Sequence, residues 1–436
     1  MVLTVVLILA ALPAKAQLEL DVRGGTTRPL NLALPMFAGE GEAESYGQNI
    51  AGVIEANLTR SGLFRILNRG AYIPGAEGPD GSRPRFADWR IINTEGLVSG
   101  KTTIQPDGRL SVEFRLWDVA QEKQLIGQAF ATPRDNWRRI AHMISDLIYK
   151  EVTGESGYFD TRIVYIAESG PFTRRVKRLA IMDQDGANHK YLTRGRELIL
   201  TPRFSPAAQQ ITYLAYTDGS PTVYLFDIQT GRTEKLGEFP NMTFAPRFSP
   251  DGNKVIFSME KGGDSEIFTL DLRTRVLTQM TRHGAIDTAP SYSPDGERVV
   301  FESDRGGTQQ HYVMRSNGSG EPTRISFGDG RYGTPVWSPR GDLIAFTKML
   351  GGKFYIGVMR PDGSDERLLV TSRHVEGPSW APNGRVLTYF KETLSAGGQD
   401  REARLYSIDL TGFHEKRLDT PGKASDPAWS PLLSRR

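Results

Sequence analysis

The chain of 436 residues contains no cysteine, which excludes disulfides, thiolate catalysis and Cys-ligated zinc or iron–sulfur centres. It also lacks an excess of charge of one sign, with 54 Lys and Arg against 51 Asp and Glu and a formal net charge of +3. Binding that works by neutralising rows of phosphates needs a far stronger basic bias, so nucleic acid is not expected as a partner. No segment beyond the N-terminus approaches ~18 uninterrupted apolar residues, so the mature chain is not expected to span a membrane. His142, His189, His283, His311, His374 and His414 are scattered and form no His-Glu-x-x-His or His-x-His arrangement. Neither a Gly-x-Ser-x-Gly elbow nor a Gly-x-x-x-x-Gly-Lys phosphate loop occurs. Asp183-Gln-Asp185-Gly186 imitates the opening of a calcium loop, but Arg194 occupies the twelfth position, where a bidentate Glu is required. No catalytic residue, metal or cofactor is expected.

What is present begins with an apolar run over residues 2–12, too short to cross a bilayer and followed by Ala14-Lys15-Ala16, small residues suited to cleavage. Residues 1–16 therefore read as a signal peptide, with the mature chain starting near Gln17. No Lys or Arg precedes the run, so either the n-region relies on its α-amino group or the true start lies further upstream.

The C-terminal two-thirds carries one short pattern six times. It reads Pro202-Arg-Phe-Ser-Pro206, Pro246-Arg-Phe-Ser-Pro250, Pro290-Ser-Tyr-Ser-Pro294, Pro335-Val-Trp-Ser-Pro339, Pro378-Ser-Trp-Ala-Pro382 and Pro427-Ala-Trp-Ser-Pro431. Successive first prolines lie 44, 44, 45, 43 and 49 residues apart, the period of a four-stranded propeller blade. Within a period come four short β-rich runs joined by turn residues, as in Ser249-Pro250-Asp251-Gly252 and Asp227 to Gly231. The sixth motif stops too near the C-terminus to be followed by its second, third and fourth strands. Those strands are supplied upstream of the first motif by Arg162 to Ala167, Arg178 to Asp183 and Lys190 to Thr193. The inference is a closed six-bladed β-propeller over residues 158–436, with the C-terminal strand completing the blade begun near Thr161 and leaving no open sheet edge. Trp337, Trp380 and Trp429 recur at one point in the blade and read as packing between blades.

Residues 29–157 read as an α/β domain. A strand is expected in Pro29 to Phe37, a helix over Tyr46 to Ser61, three strands over Leu97 to Thr103, Leu110 to Asp118 and Gln124 to Ala131, and a second helix opened by Thr132-Pro133 and closed by Gly154. Pro74 to Arg85, rich in Gly, Pro and charge, reads as a loop.

This order of signal peptide, small α/β domain and six Pro-x-aromatic-Ser-Pro blades ending in Pro427-Ala-Trp-Ser-Pro-Leu resembles the TolB family. So does the junction Gly157-Tyr-Phe-Asp-Thr-Arg-Ile-Val-Tyr-Ile-Ala. The resemblance spans essentially the whole mature chain. It implies a non-enzymatic periplasmic adaptor of the Tol–Pal system that supports outer-membrane integrity and cell division. Its partners would be the lipoprotein Pal at the propeller and the inner-membrane protein TolA at the N-terminal region, with bacteriocins using the same surfaces in some species. TolA contact is expected from residues 17–28, where Leu18, Glu19, Leu20, Asp21, Val22 and Arg23 form an alternating run able to add a strand to a partner. Pal is expected over the channel mouth formed by the loops that enter each inner strand. Those loops hold Met242 and Ala245, then Asp287, Thr288 and Ala289, then Gly333 and Thr334, and lastly Glu376 and Gly377. The competing class is an enzyme or sugar-binding propeller, which would require acidic and His residues converging on the channel.

Overall fold

The structure, a computed structural model, describes residues 28–78, 83–171, 174–217, 219–239, 242–394 and 401–433. The expected signal peptide and all six residues of the expected TolA run, Leu18 to Arg23, lie outside the described residues. The chain divides into two compact units between Ser156 and Gly157.

The first unit is built on β1 (Leu30–Ala33), α1 (Glu42–Arg60), β2 (Phe64–Ile66), α2 (Phe86–Ile91), β3 (Gly96–Ile104), β4 (Leu110–Asp118), β5 (Lys123–Thr132) and α3 (Trp137–Thr153). The sheet order is β2-β1-β3-β4-β5, with β1 parallel to both of its neighbours and the β3–β5 meander antiparallel. Alternation along the strands divides the apolar residues between two faces. Leu97 and Trp117, opposite one another in register, meet Phe86 and Trp89 of α2. The intervening Val98, Phe114 and Leu116 are fully buried. α1 and α3 pack against each other, and both touch the sheet. Gly154 caps α3 in the left-handed conformation, its N–H bonding to Lys150 O at 2.9 Å, a geometry glycine adopts without a Cβ penalty. The sequence reading missed β2 and α2, which at three and six residues are too short to show a period. α1 starts a turn before Tyr46, at Glu42, because Ala43 and Gly47 extend its buried face. No helix among the described residues is long and apolar enough to cross a membrane.

The second unit is the six-bladed propeller. Its inner strands are Leu198–Phe204, Met242–Phe248, Asp287–Tyr292, Arg331–Trp337, Val375–Trp380 and Lys423–Trp429, in blades one to six. Each begins a four-stranded antiparallel meander, and adjacent inner strands pack side by side around the ring, the sixth against the first. Blade six is composite. Lys423–Trp429 pairs with Arg162–Ser169, followed by Val176–Asp183 and Lys190–Tyr191. Apolar clusters fill the space between blades. Val164, Ile166 and Ile181 of blade six meet Ile199, Ile211 and Tyr213 of blade one, and Val336 and Ile356 of blade four meet Trp380 and Leu387 of blade five. Trp337, Trp380 and Trp429 are buried, as packing residues should be. Asp183 to Gly186 closes as a turn, with Gly186 N–H on Asp183 O and Asn188 Nδ2 on the Asp183 carboxylate.

Each inner strand also carries a feature the motif alone does not reveal. Between the residue two before the first motif proline and the residue just after it, three steps along the inner strand oppose two on the neighbouring strand. All six blades share this β-bulge. Proline has no N–H to give the ladder, so a bulge is where a sheet can accommodate it. The residue before the proline is in the left-handed region in Thr201, Ala289, Thr334, Gly377 and Asp426, at φ 48°, 51°, 44°, 69° and 49°. Four of those five are not glycine, and residues preceding proline ordinarily adopt extended backbone, so the bulge is held against local preference.

Candidate docking site at the channel

The inner strands run from the bulges at one mouth of the channel to the Ser-Pro turns at the other. At the bulge mouth, Asp287 is fully buried and its carboxylate meets Arg305 Nη2 at 2.7 Å. The Arg305 guanidinium lies over the rings of Phe301 and Tyr312, 5.3 and 5.1 Å from their centroids. Thr288 and Ala289 are buried beside Asp287. Register places Glu302 opposite Thr288. Its carboxylate accepts from Gln309 Nε2 at 2.7 Å and, across the blade boundary, from Thr334 N–H at 3.2 Å. A Cβ on Gly333 would stand 3.1 Å from Glu302 Oε2, so a larger side chain there would press on the carboxylate. Thr334 also donates its hydroxyl to Thr347 Oγ1 at 2.8 Å.

One blade on, Glu376 lies 3.5 Å from His374 Nε2, and His374 Nδ1 lies 2.9 Å from Glu392. The hydrogen bond to Glu376 is the largest influence on His374 and raises its pKa above the ordinary histidine value, against the opposing effect of burial. Burial drives the Glu302 carboxyl up to about 7, although its hydrogen bonds to Thr334 and Gln309 pull the other way. Gly333, Thr334, Glu376 and Gly377 are half-buried. Met242 and Ala245 lie in the blade-two inner strand, Met242 opposite Met259, and their side chains lie outside the described residues.

The structure thus brings Thr288, Gly333 and Thr334 around Glu302, while Asp287 is withdrawn into an ion pair. Glu302, Arg305 and Gln309 follow a motif rather than precede one, so the motif does not point to them, and His374, one of the scattered histidines, joins Glu376 at this mouth. A signal for Glu302 was available. Across the six blades the matching second-strand position holds Ile166, Leu214, Ser258, Glu302, Thr347 and Phe390, and one of these is charged.

At the opposite mouth, the motif residues enclose a cavity of about 440 Å³ lined by Tyr292, Trp337, Trp380 and Trp429 together with the residues between the motif's proline and aromatic. Two side chain to backbone bonds tie blades together here: Ser291 Oγ accepts from Trp337 N–H at 3.2 Å and Ser379 Oγ from Trp429 N–H at 3.0 Å.

Comparison with known proteins agrees with this architecture. Residues 149–433 match the family model for the TolB beta propeller domain, and residues 18–125 match that for the TolB amino-terminal domain. The Tol-Pal system protein TolB of Paramagnetospirillum magneticum is 60% identical over 426 residues, which is 97% of this chain and 95% of that protein. The crystal structure of TolB from Acinetobacter baumannii superposes with a TM-score of 0.82 at 28% identity, covering 95% of this chain and 99% of that one.

Proposed function

The chain belongs to the TolB family of Tol-Pal system proteins, and from that premise we propose that it is a non-enzymatic periplasmic adaptor holding Pal at the bulge mouth of its propeller and TolA through residues 17–28. In that role it supports outer-membrane integrity and cell division, and bacteriocins that enter through this system use the same surfaces. The observation that carries the Pal assignment is the repeated left-handed backbone at Ala289, Thr334 and Gly377. Non-glycine residues in that region cost on the order of 1–3 kcal/mol each, and such strain concentrates at binding sites, where it aims backbone groups that a relaxed strand would spend on its own ladder. Half-buried Thr334, Glu376 and Gly377 offer an inserted segment both polar groups and room.

The test is steric. Thr288 is only 2% exposed, so a tryptophan there would disrupt the blade rather than block the mouth. Thr334→Trp and Glu376→Trp place their bulk at half-buried positions instead. Calorimetry with purified Pal should show each weakening binding about 10-fold or more, equivalent to about 1.4 kcal/mol. Glu297→Trp, on an exposed turn at the opposite mouth, should leave binding unchanged. Normal Pal affinity in both mouth variants, with cooperative melts retained, would remove the mouth from consideration.

Deletion of residues 17–28 separates the two partners. The shortened chain should bind Pal with native affinity and melt as the full mature chain does, while TolA binding falls at least about 10-fold. Native TolA affinity after deletion would reject the N-terminal assignment.

A further inference from the structure

The six residues between the proline and the aromatic of each motif are Arg203, Arg247, Ser291, Val336, Ser379 and Ala428, and all six line the cavity at the motif mouth. The ring is lopsided. Two adjacent blades contribute guanidinium groups, and the other four contribute nothing larger than valine, so the space on the far side of the channel is open to the arginines. Arg203 Nη1 donates to Pro202 O at 2.7 Å and its Nε is buried without an acceptor among the described residues. Asp426 is the acidic group that acts on Arg203, and it is itself held by the Ser425 hydroxyl at 2.9 Å. Arg247 has no hydrogen-bond acceptor or ion-pair partner among the described residues, and its charged neighbour is Arg203. Burial, and then Arg203, pull the Arg247 guanidinium well below the ordinary arginine range. Arginine nonetheless stays protonated in proteins, so the imbalance persists as a demand for negative charge.

Three further polar side chains of the cavity are of the same kind, whereas Ser338 and Ser430 spend their hydroxyl protons on Asp342 and on Pro431 O. The oxygens of Ser291 and Ser379 already accept backbone N–H groups, which leaves their hydroxyl protons to donate. Tyr292, whose phenol burial pushes up to about 12, remains a hydroxyl at neutral pH. Two guanidinium groups with one carboxylate, Asp426, acting on them, beside hydroxyl donors, are the complement of a further carboxylate or a phosphate.

We propose that the motif mouth of the channel is an oxyanion-binding site, with Arg203 and Arg247 as the charged clamp, Ser291 as a donor beside Arg247 and Ser379 as a donor from the facing wall. It lies at the other end of the channel from the Pal assignment, so the two stand or fall separately.

The test uses the full mature chain and two probes, sodium phosphate and sodium acetate, titrated against sodium chloride at constant ionic strength. At least one oxyanion should raise the melting temperature saturably by 2 °C or more, with half-saturation below about 10 mM, and change the emission of the tryptophans that line the cavity. A response to phosphate alone assigns the site to phosphate groups, and a response to acetate assigns it to carboxylates. Arg247→Gln should lose the response. Should that variant not fold, Ser291→Asp decides the matter: a built-in carboxylate beside Arg247 should raise the melting temperature in chloride and abolish the response to added anion. Identical native melts in all three salts would overturn the proposal, as would an undiminished response in folded Arg247→Gln or in Ser291→Asp.

Discussion

A mature chain ending at Asp426 should lose its cooperative melt near the native temperature and become protease-sensitive throughout the propeller. Removing residues 427–436 deletes the second half of the strand that closes blade six. With it go Trp429, 7% exposed, and Ala428, 2% exposed, which pair in register with Ile163 and Val164. It also removes four anchors to the start of the propeller. Trp429 Nε1 bonds to Thr161 Oγ1 at 2.8 Å, Ser430 exchanges two bonds of 2.8 Å with Arg162, and Leu433 N–H bonds to Asp160 O at 3.0 Å. Loss of a buried tryptophan alone costs about 3–5 kcal/mol, and the unpaired edge of Arg162–Ser169 adds to it, against a total domain stability on the order of 5–15 kcal/mol. A fall of at least about 10 °C follows, if a transition survives at all. Scanning calorimetry and limited proteolysis read both effects. Trp429→Phe is the graded control, keeping an aromatic ring while losing the second ring of the indole and one hydrogen bond, at about 2 kcal/mol. A truncated chain with the native melting temperature would refute ring closure by this strand.

Closure was legible because the two halves of blade six are separated by the whole propeller, and each half is incomplete without the other. The blade count was legible for a related reason: the motif spans the end of an inner strand and the turn after it, where proline and glycine are dictated by backbone geometry and so recur in every blade. The bulges were not legible. They appear only in the pairing of two strands, and Thr201, Ala289 and Thr334 belong to no residue class that announces positive φ; of the four non-glycine positions, Asp426 alone is of a type enriched there. The mouth was half legible. Thr288, Gly333 and Thr334 were found because they precede a motif, whereas Glu302 and Gln309 reach the same place from a second strand and the loop beyond it. In the first unit, α3 was found through its sustained apolar period, while α2 is a single turn and a half held by Phe86 and Trp89.

The same bulges connect the two mouths. By adding a residue to each inner strand at the motif proline, a bulge changes which side chains face the lumen. After it, Arg203, Arg247, Ser291 and Ser379 line the motif cavity; before it, the Thr334 N–H turns toward Glu302 rather than into its own ladder. One backbone irregularity therefore supports both a half-buried rim at one end and a donor-rich cavity at the other.

Glu302→Gln should flatten the pH dependence of stability between pH 4.5 and about 7. The native carboxyl is raised from 4.5 to about 7 by burial, so below pH 4.5 it is protonated in both folded and unfolded chains and its burial is tolerated in full. As the pH climbs through that window the unfolded chain ionises first, and the folded state loses stability relative to it. At 1.36 kcal/mol per pH unit the loss amounts to about 3 kcal/mol by pH 8, or roughly 6–10 °C in melting temperature. Glutamine keeps an oxygen for the Thr334 N–H and has no charge to bury, so the variant should melt above the native chain at pH 8 and together with it near pH 4.5. Parallel melting curves for the two proteins across this range would show that Glu302 is ionised without cost. The prediction also bears on docking. A segment seated over Thr334 and Glu376 would withdraw Glu302 further from water and raise its pKa again, so Pal binding at pH 7 should be accompanied by proton uptake. That uptake is visible as a buffer-dependent binding enthalpy in the native protein and should vanish in Glu302→Gln, whereas a partner that binds elsewhere would leave the two proteins alike.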